Sequence, residues 1–114
     1  MTTPGWIDIS TPDPTRARRF YAGLFGWTFT PVDDTYSLIS AAASAPPTGG
    51  MGTAGPQSPY LGLTPYFPVD DVTAALARAV ELGGRTLLEP TETPMGCIAA
   101  FADPDGNPVG LQSA

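Results

Sequence analysis

The chain has 114 residues, of which 42% are hydrophobic and 14% charged, and eleven acidic residues against five arginines give a net charge of −6. This length and composition predict one compact domain with a hydrophobic core, and they exclude two domains of ordinary size. The acidic balance, without a basic patch and interleaved aromatics, argues against nucleic acid as a partner. No apolar run reaches the roughly eighteen residues of a membrane span and no signal peptide is recognisable, which predicts a cytoplasmic protein with no membrane partner.

The first two predicted elements are a strand and a helix. In "GWIDIST" large and polar side chains alternate, so Trp6, Asp8 and Ser10 share one face of a half-buried strand. The helix begins after an aspartate cap at Asp13, has proline at its first position, and ends at Gly26. The aromatic residues of this helix are predicted to lie in the core, and its arginine run is predicted to face solvent. The aromatic residues are Phe20, Tyr21 and Phe25, and the arginines are Arg16, Arg18 and Arg19.

Two further strands are predicted from "WTFTPV" and "TYSLISA", joined by an acidic turn. Alternation places Tyr36, Leu38 and Ser40 on one face of the second of them. The segment Ala41 to Pro59 consists of Ala, Gly, Pro, Ser and Thr except for Met51 and Gln57. Its composition predicts a flexible loop with one short strand around residues 49–53.

The second half of the chain repeats the first at an offset of 58 residues. A strand leads into a helix that begins at an aspartate and ends at Gly83-Gly84, and strands follow near 85–88, 96–102 and 108–112. Asp13 matches Asp71 and Gly26 matches Gly84. The predicted fold class is therefore α+β, with two tandem βαβββ modules forming a curved mixed sheet around a concave cavity. One domain would span 1–114, with module one at about 4–55 and module two at about 60–114.

Three stretches of the chain carry a resemblance to a known superfamily. "WIDISTPDPTRARRFYAGLFGWTF", "PYFPVDDVTAALARAVELGG" and "FADPDGNPVGL" resemble the vicinal oxygen chelate superfamily, which includes glyoxalase I, bleomycin-resistance proteins and extradiol dioxygenases. The resemblance covers nearly the whole chain and weakens only in the segment Ala41 to Pro59. It implies the glyoxalase/bleomycin-resistance fold but no single activity, because its members include lyases, dioxygenases, hydrolases and drug-binding proteins.

The resemblance also implies where metalloenzymes of this superfamily hold their divalent ion. Carried over one by one, three of the four ligand positions fall on Trp6, Thr64 and Gly110, and the fourth lies in the poorly aligned loop. The chain has no histidine, and residues 35–69 contain no Asp, Glu, His or Cys. We therefore expect no metal site and no cofactor. The motif "DPDGN" lacks the later ligands of a calcium loop, so its acids are interpreted as turn residues.

Asp8 is the acidic residue with two open interpretations. It lies on the face that the superfamily turns toward its cavity, where partial burial would make its charge unfavourable unless a donor or a cation compensates. It is either a ligand-pairing group or general base, or an ordinary hydrogen-bonded strand residue. The candidate catalytic residues are Asp8 and Tyr66.

Two classes of function follow from these residues. In the first, the protein binds or sequesters a small organic molecule, with cationic compounds among the candidates, in an aromatic-lined cavity without metal. In the second, it is a metal-independent lyase, isomerase or cyclase that uses Asp8 or Tyr66 for proton transfer. A monomer and a homodimer both remain open. The predicted ligand-binding residues are Trp6, Asp8, Ser10, Tyr36, Leu38, Met51, Thr64, Tyr66, Phe101, Gly110 and Gln112.

Overall fold

The computed structural model of the chain describes residues 2–54 and 62–114. The chain falls into two compact units, one of Trp6–Leu63 and one of Thr64–Ala114 together with the residues that precede Trp6. No helix in the described ranges is long and apolar enough to cross a membrane.

The first unit contains one helix and four strands. Their bounds are β1 Trp6–Thr11, α1 Pro14–Phe25, β2 Thr28–Pro31, β3 Tyr36–Ser40 and β4 Pro47–Thr53. The strand order is β2-β3-β4-β1, in which β1 runs parallel to β4 and the other pairs are antiparallel. Ile9, Ile39 and Met51 form the core of this unit.

The ends of α1 follow the predicted capping residues. The Asp13 carboxylate accepts a hydrogen bond from the Arg16 backbone N–H at 3.0 Å, and Pro14 occupies the first helical position. Gly26 closes the helix in the left-handed conformation at φ 70°, which a residue with a side chain adopts only with strain. The predicted bounds of this helix are therefore confirmed.

The predicted core position of the α1 aromatics is wrong for Phe20 and Phe25, whereas Tyr21 does pack against the core. Phe20 is 61% exposed and Phe25 57% exposed, and α1 has no buried residue along its length. Of the described residues of α1, Ala17 and Tyr21 pack against the core of the unit, as does Trp27 beyond the helix. Helical periodicity identifies apolar positions, but it does not tell which of two apolar faces meets the sheet.

Strand β4 corrects the prediction of a flexible loop from Ala41 to Pro59. The short predicted strand is confirmed and begins earlier, at Pro47, and its residues 49–52 are buried between β3 and β1. Glycine is required there, because a Cβ on Gly49 would lie 2.6 Å from the Ile7 carbonyl oxygen. Residues 55–59 of the predicted loop lie outside the described residues.

The second half of the chain has the same succession of elements, and all but the first two residues of its first strand belong to the second unit. Their bounds are β5 Gly62–Val69, α2 Val72–Glu81, β6 Arg85–Thr93, β7 Gly96–Ala102 and β8 Pro108–Ser113. The strand order is β5-β8-β7-β6, with β5 parallel to β8. Asp71 caps α2 by accepting from the Ala74 N–H at 3.0 Å, as Asp13 caps α1. The α+β class and the tandem βαβββ modules are thus confirmed.

The "DPDGN" segment forms the turn between β7 and β8. Asp103 Oδ1 accepts hydrogen bonds from the backbone N–H groups of Asp105 and Asn107, each at 2.9 Å. The Asn107 side-chain amide and these N–H groups lower the pKa of Asp103, because they stabilise the charged carboxylate. The Asp103 carboxylate therefore acts as a structural group of the turn.

Candidate functional site

A hydrogen bond joins the side chains of Asp8 and Tyr36 on one face of the first unit. Asp8 on β1 and Leu38 on β3 are both in register with Gly50 on β4, which lies between them. The Tyr36 side chain lies directly over Gly50, where a Cβ would overlap its ring. The Tyr36 hydroxyl thereby reaches Asp8 and donates to its Oδ1 at 2.8 Å. Gly50 is thus the residue that lets a tyrosine and an aspartate two strands apart meet.

Burial and this hydrogen bond shift the pKa of Asp8 in opposite directions. Burial raises the pKa of Asp8 above 3.8, because the charged carboxylate loses solvation, and the Tyr36 hydrogen bond lowers it in part. The net effect is a raised pKa. A half-buried carboxyl of this kind can accept a ligand donor, pair with a cation, or exchange a proton.

Other side chains of the same face surround this pair. Ser10 follows Asp8 by two residues on β1 and is only 3% exposed, and among the described residues its Oγ has no hydrogen-bond partner. Trp6 precedes Asp8 by two residues and is half-buried, as is Leu38 on β3. We call Trp6, Asp8, Ser10, Tyr36 and Leu38 the Asp8 face. It combines a carboxylate, a phenol and an unsatisfied hydroxyl with apolar surface.

We expect Tyr36→Phe to raise the pKa of Asp8 further, because the variant loses a hydrogen bond that stabilises the charged form. The folded state already holds the Asp8 proton more tightly than the unfolded chain does. The free energy of unfolding should therefore fall as pH rises from 3.8 through the raised pKa, and this window should widen in the variant. Carboxyl ¹³C NMR titration of Asp8 measures the shift directly. An unchanged Asp8 titration would contradict the assigned role of Tyr36.

A tyrosine also covers a glycine in the second unit. Tyr66 on β5 is in register with Gly110 on β8, and a Cβ on Gly110 would overlap the Tyr66 ring. Tyr66 is 6% exposed, and Thr64, two residues earlier, is fully buried. Within the described ranges no hydrogen-bond partner is found for Thr64 Oγ1. Gln112 lies on β8 two residues beyond Gly110 and is half-buried.

The registers identify the fourth position that sequence comparison left unassigned. Gly50 opposes Asp8 on β1 as Gly110 opposes Tyr66 on β5, so Gly50 is the counterpart of Gly110 in the first module. Sequence reasoning misses Gly50 because the composition of its strand is typical of a loop. By the resemblance, the four metal-ligand positions of the superfamily's metalloenzymes would thus correspond to Trp6, Gly50, Thr64 and Gly110.

The residues at these positions do not fit a divalent metal ion. Neither Trp6 nor either glycine offers a ligand atom from its side chain, and Thr64 offers only a hydroxyl. A tyrosine ring lies where a side chain at Gly50 or Gly110 would begin. In the part of the chain that the structure describes, no three His, Cys, Asp or Glu residues are grouped as a metal site would require.

Two predicted ligand-binding residues lie away from the others of their units. Met51 is 1% exposed in the core with Ile9 and Ile39, because it is one residue removed from Gly50 and points to the opposite face of β4. Phe101 packs beside Leu111 and α2 and lines a groove of about 440 Å³ on that side of the second unit. Both residues belong to the helix-facing side of their strands, so we exclude them from the candidate site.

A family model and several relatives show which family the chain is similar to. The family described as "Glyoxalase-like domain" matches residues 6–111. Anthracycline biosynthesis protein DnrV of Streptomyces peucetius is 33% identical over 120 residues, which cover 90% of this chain and 44% of that protein. CFP32 of Mycobacterium bovis is 33% identical over 125 residues, or 98% of this chain and 46% of that protein. The chain thus spans less than half the length of these relatives.

Solved structures support the same fold. An extradiol ring-cleaving dioxygenase from B. fuscum aligns with a TM-score of 0.68 at 21% identity, covering 96% of this chain and 32% of that one. A hypothetical protein from Bacillus halodurans aligns with a TM-score of 0.70 at 12% identity, covering 99% and 94%. At these identities the likeness concerns the fold alone.

Proposed function

The chain belongs to the glyoxalase-like domain family, and within it we propose that the protein binds a small organic ligand on the Asp8 face without a metal ion. One observation carries this proposal. The half-buried carboxylate of Asp8 has a raised pKa and accepts a hydrogen bond from the Tyr36 hydroxyl, and the buried hydroxyl of Ser10 on the same face has no partner among the described residues. Buried polar groups that lack a hydrogen-bond or charge partner within the protein are typical of sites where a ligand supplies that partner. We place this binding protein in the cytoplasm.

The chemistry of the Asp8 face favours a ligand with both an aromatic or apolar body and a cationic or hydrogen-bond-donating group. A cation next to Asp8 would compensate the desolvated charge, and Trp6 and Tyr36 supply aromatic surface. DnrV is named for anthracycline biosynthesis, and anthracyclines with an aminosugar combine a fused planar ring system with an ammonium group. An aminosugar anthracycline is therefore our first test ligand.

Asp8→Asn should weaken binding of such an anthracycline at least about tenfold, because a charge-assisted hydrogen bond contributes roughly 1.5–3 kcal/mol. Fluorescence titration of the ligand measures the affinity. Glu81→Gln, at the exposed end of α2, removes the same charge without changing a residue of the Asp8 face and should leave affinity unchanged. Addition of a chelator should not change the affinity of the wild-type protein for the ligand. Equal binding by wild type and Asp8→Asn would reject Asp8 as the ligand-pairing group.

A second function, metal-independent proton transfer in a lyase, isomerase or cyclase, rests on the raised pKa of Asp8. Asp8 would act as the base or acid, with Tyr66 as the other candidate. Binding and catalysis are separated by incubating each stabilising compound with the protein and analysing it by mass spectrometry. A compound recovered unchanged supports the binding protein, and conversion that is lost in Asp8→Asn supports the enzyme.

A further inference from the structure

A pocket of about 270 Å³ lies between the first half of α1 and the hairpin that joins β2 to β3. Phe29 and Pro31 on β2 and Ser37 on β3 line it, and we call it the hairpin pocket. Because side chains alternate along a strand, Ser37 points away from the Asp8 face, whereas Tyr36 borders both sites. The pocket is slightly smaller than the roughly 300–1,000 Å³ of sites for drug-sized molecules, so it suits a smaller ligand.

Arg18 brings a half-buried cation to this pocket. Arg16 and Arg19 of the same helix are exposed, whereas Arg18 is half-buried and lines the pocket. Among the described residues Arg18 forms no ion pair, and its side chain makes one hydrogen bond, from Nη2 to the Thr15 hydroxyl at 3.3 Å. Partial burial without an anion leaves the guanidinium charge poorly compensated, which favours an anionic group on a ligand.

Ser37 adds a buried hydroxyl to the same pocket. The residue is only 5% exposed, and within the described ranges its hydroxyl makes no hydrogen bond. Buried side-chain polar groups are normally paired inside the protein. The Ser37 hydroxyl is therefore available as a donor to a carboxylate that Arg18 holds.

Two aspartates line the pocket on its hairpin side. Asp33 and Asp34 lie in the turn between β2 and β3 and are exposed. Asp33 Oδ1 accepts hydrogen bonds from the Thr35 backbone N–H at 2.8 Å and from the Thr35 hydroxyl at 2.9 Å. These bonds lower the pKa of Asp33, because they stabilise its charged form. Neither aspartate is within ion-pair distance of Arg18, so the pocket presents both signs of charge without a direct pair.

We propose that the hairpin pocket binds a small zwitterionic amino acid with an apolar side chain. Arg18 and the Ser37 hydroxyl bind its carboxylate, and the two aspartates bind its ammonium group. Phe29 and Pro31 contact its side chain. A simple cation would be repelled by the arginine and a simple anion by the aspartates, whereas a zwitterion matches both. This site is distinct from the ligand site proposed on the Asp8 face.

The test is an ¹⁵N NMR titration of the full 114-residue chain with L-leucine. We expect saturable shifts of the Arg18 Nε–H signal and of the Ser37 backbone N–H signal. Leucinamide lacks the carboxylate and N-acetylleucine lacks the ammonium group, so each should bind at least about fivefold more weakly than leucine. Asp8→Asn should leave the affinity for leucine unchanged, which separates this site from the Asp8 face.

Two variants identify which residue binds which end of the ligand. Arg18→Gln should weaken leucine binding at least about fivefold and remove the preference for leucine over leucinamide. Asp34→Asn should reduce the preference for leucine over N-acetylleucine, since one of the two carboxylates remains. The matched control is Arg19→Gln, which removes an exposed charge one residue along α1 and should bind leucine like the wild type. Circular dichroism melting checks that all variants are folded.

Three results would overturn the proposal of an amino-acid site. One is an absence of saturable shifts at about 10 mM leucine, where a millimolar site would be largely filled. Another is equal binding of leucine, leucinamide and N-acetylleucine. The third is leucine binding that persists in Arg18→Gln but is lost in Asp8→Asn, which would assign leucine to the Asp8 face.

Discussion

Gly50→Ala should lower the free energy of unfolding by about 3 kcal/mol, because the added methyl group occupies the place of the Tyr36 ring. The ring cannot move away without breaking the 2.8 Å hydrogen bond to Asp8. Urea denaturation monitored by fluorescence measures the change. The same variant should lose ligand binding on the Asp8 face, since Tyr36 and Asp8 are both displaced.

A double-mutant cycle separates this explanation from a general intolerance of β4 to substitution. In a Tyr36→Ala background the space above Gly50 is open, and Gly50→Ala should then change stability by less than about 0.5 kcal/mol. Gly23→Ala is the control for the substitution itself. No atom of the described residues would lie near its Cβ, and alanine is favoured over glycine in a helix by about 1 kcal/mol, so this variant should be more stable. An additive cycle, with no coupling between Gly50 and Tyr36, would refute the packing explanation.

Gly110→Asp should be the most destabilising single change considered, at about 4 kcal/mol, because it combines steric overlap with a carboxylate placed against the buried Tyr66 ring. It introduces a carboxylate at a position to which the resemblance assigns a metal ligand, yet it should not create a metal site. Trp6, Gly50 and Thr64 still supply no carboxylate or imidazole. Thermal melting with and without added nickel or manganese ions tests both statements.

Two companion variants separate the causes of the Gly110→Asp effect. Gly110→Ala contains the steric part alone, and Tyr66→Ala combined with Gly110→Asp removes the overlap but keeps the charge. We expect Gly110→Ala to lie between wild type and Gly110→Asp in stability, and Gly110→Asp to cost less stability in a Tyr66→Ala background than in the wild-type protein. A Gly110→Asp protein as stable as wild type would show that the Tyr66 ring does not occupy that place. A melting point raised by metal would contradict the statement that the residues at the other three positions cannot support a metal site.

The elements that local chemistry determines are predictable from the chain. Asp13 and Asp71 cap helices because their carboxylates reach backbone N–H groups a few residues away, and that geometry depends on neighbouring residues only. The placement of Asp8 with Trp6 and Ser10 follows from the two-residue period of a strand. The partial burial of Asp8 is expected from that face and agrees with its raised pKa.

The features that sequence reasoning misses depend on contacts between distant residues. The glycines of β4 predict a loop when only propensities are considered, whereas they are required by Ile7 and Tyr36 on the neighbouring strands. The exposure of Phe20 depends on which face of α1 meets the sheet, and periodicity alone cannot decide this. Met51 and Phe101 lie on the helix-facing side of their strands, which becomes evident only once the strand registers are known. The partner of Asp8 likewise depends on the β3–β4 register.

The two tyrosine rings over glycine also constrain how this lineage can evolve. A carboxylate cannot be gained at Gly50 or Gly110 while Tyr36 or Tyr66 is present, and loss of either tyrosine first removes a well-packed ring. Each single step toward a metal-binding state is therefore disfavoured, although the paired change need not be. The effect of each substitution thus depends on the residue at the other position of the pair, so the two changes are favoured only together. This predicts two common combinations among homologous sequences: glycine at the Gly50 or Gly110 position together with the tyrosine, or a larger residue at that position without the tyrosine. A larger residue with the tyrosine, or glycine without it, should be rare.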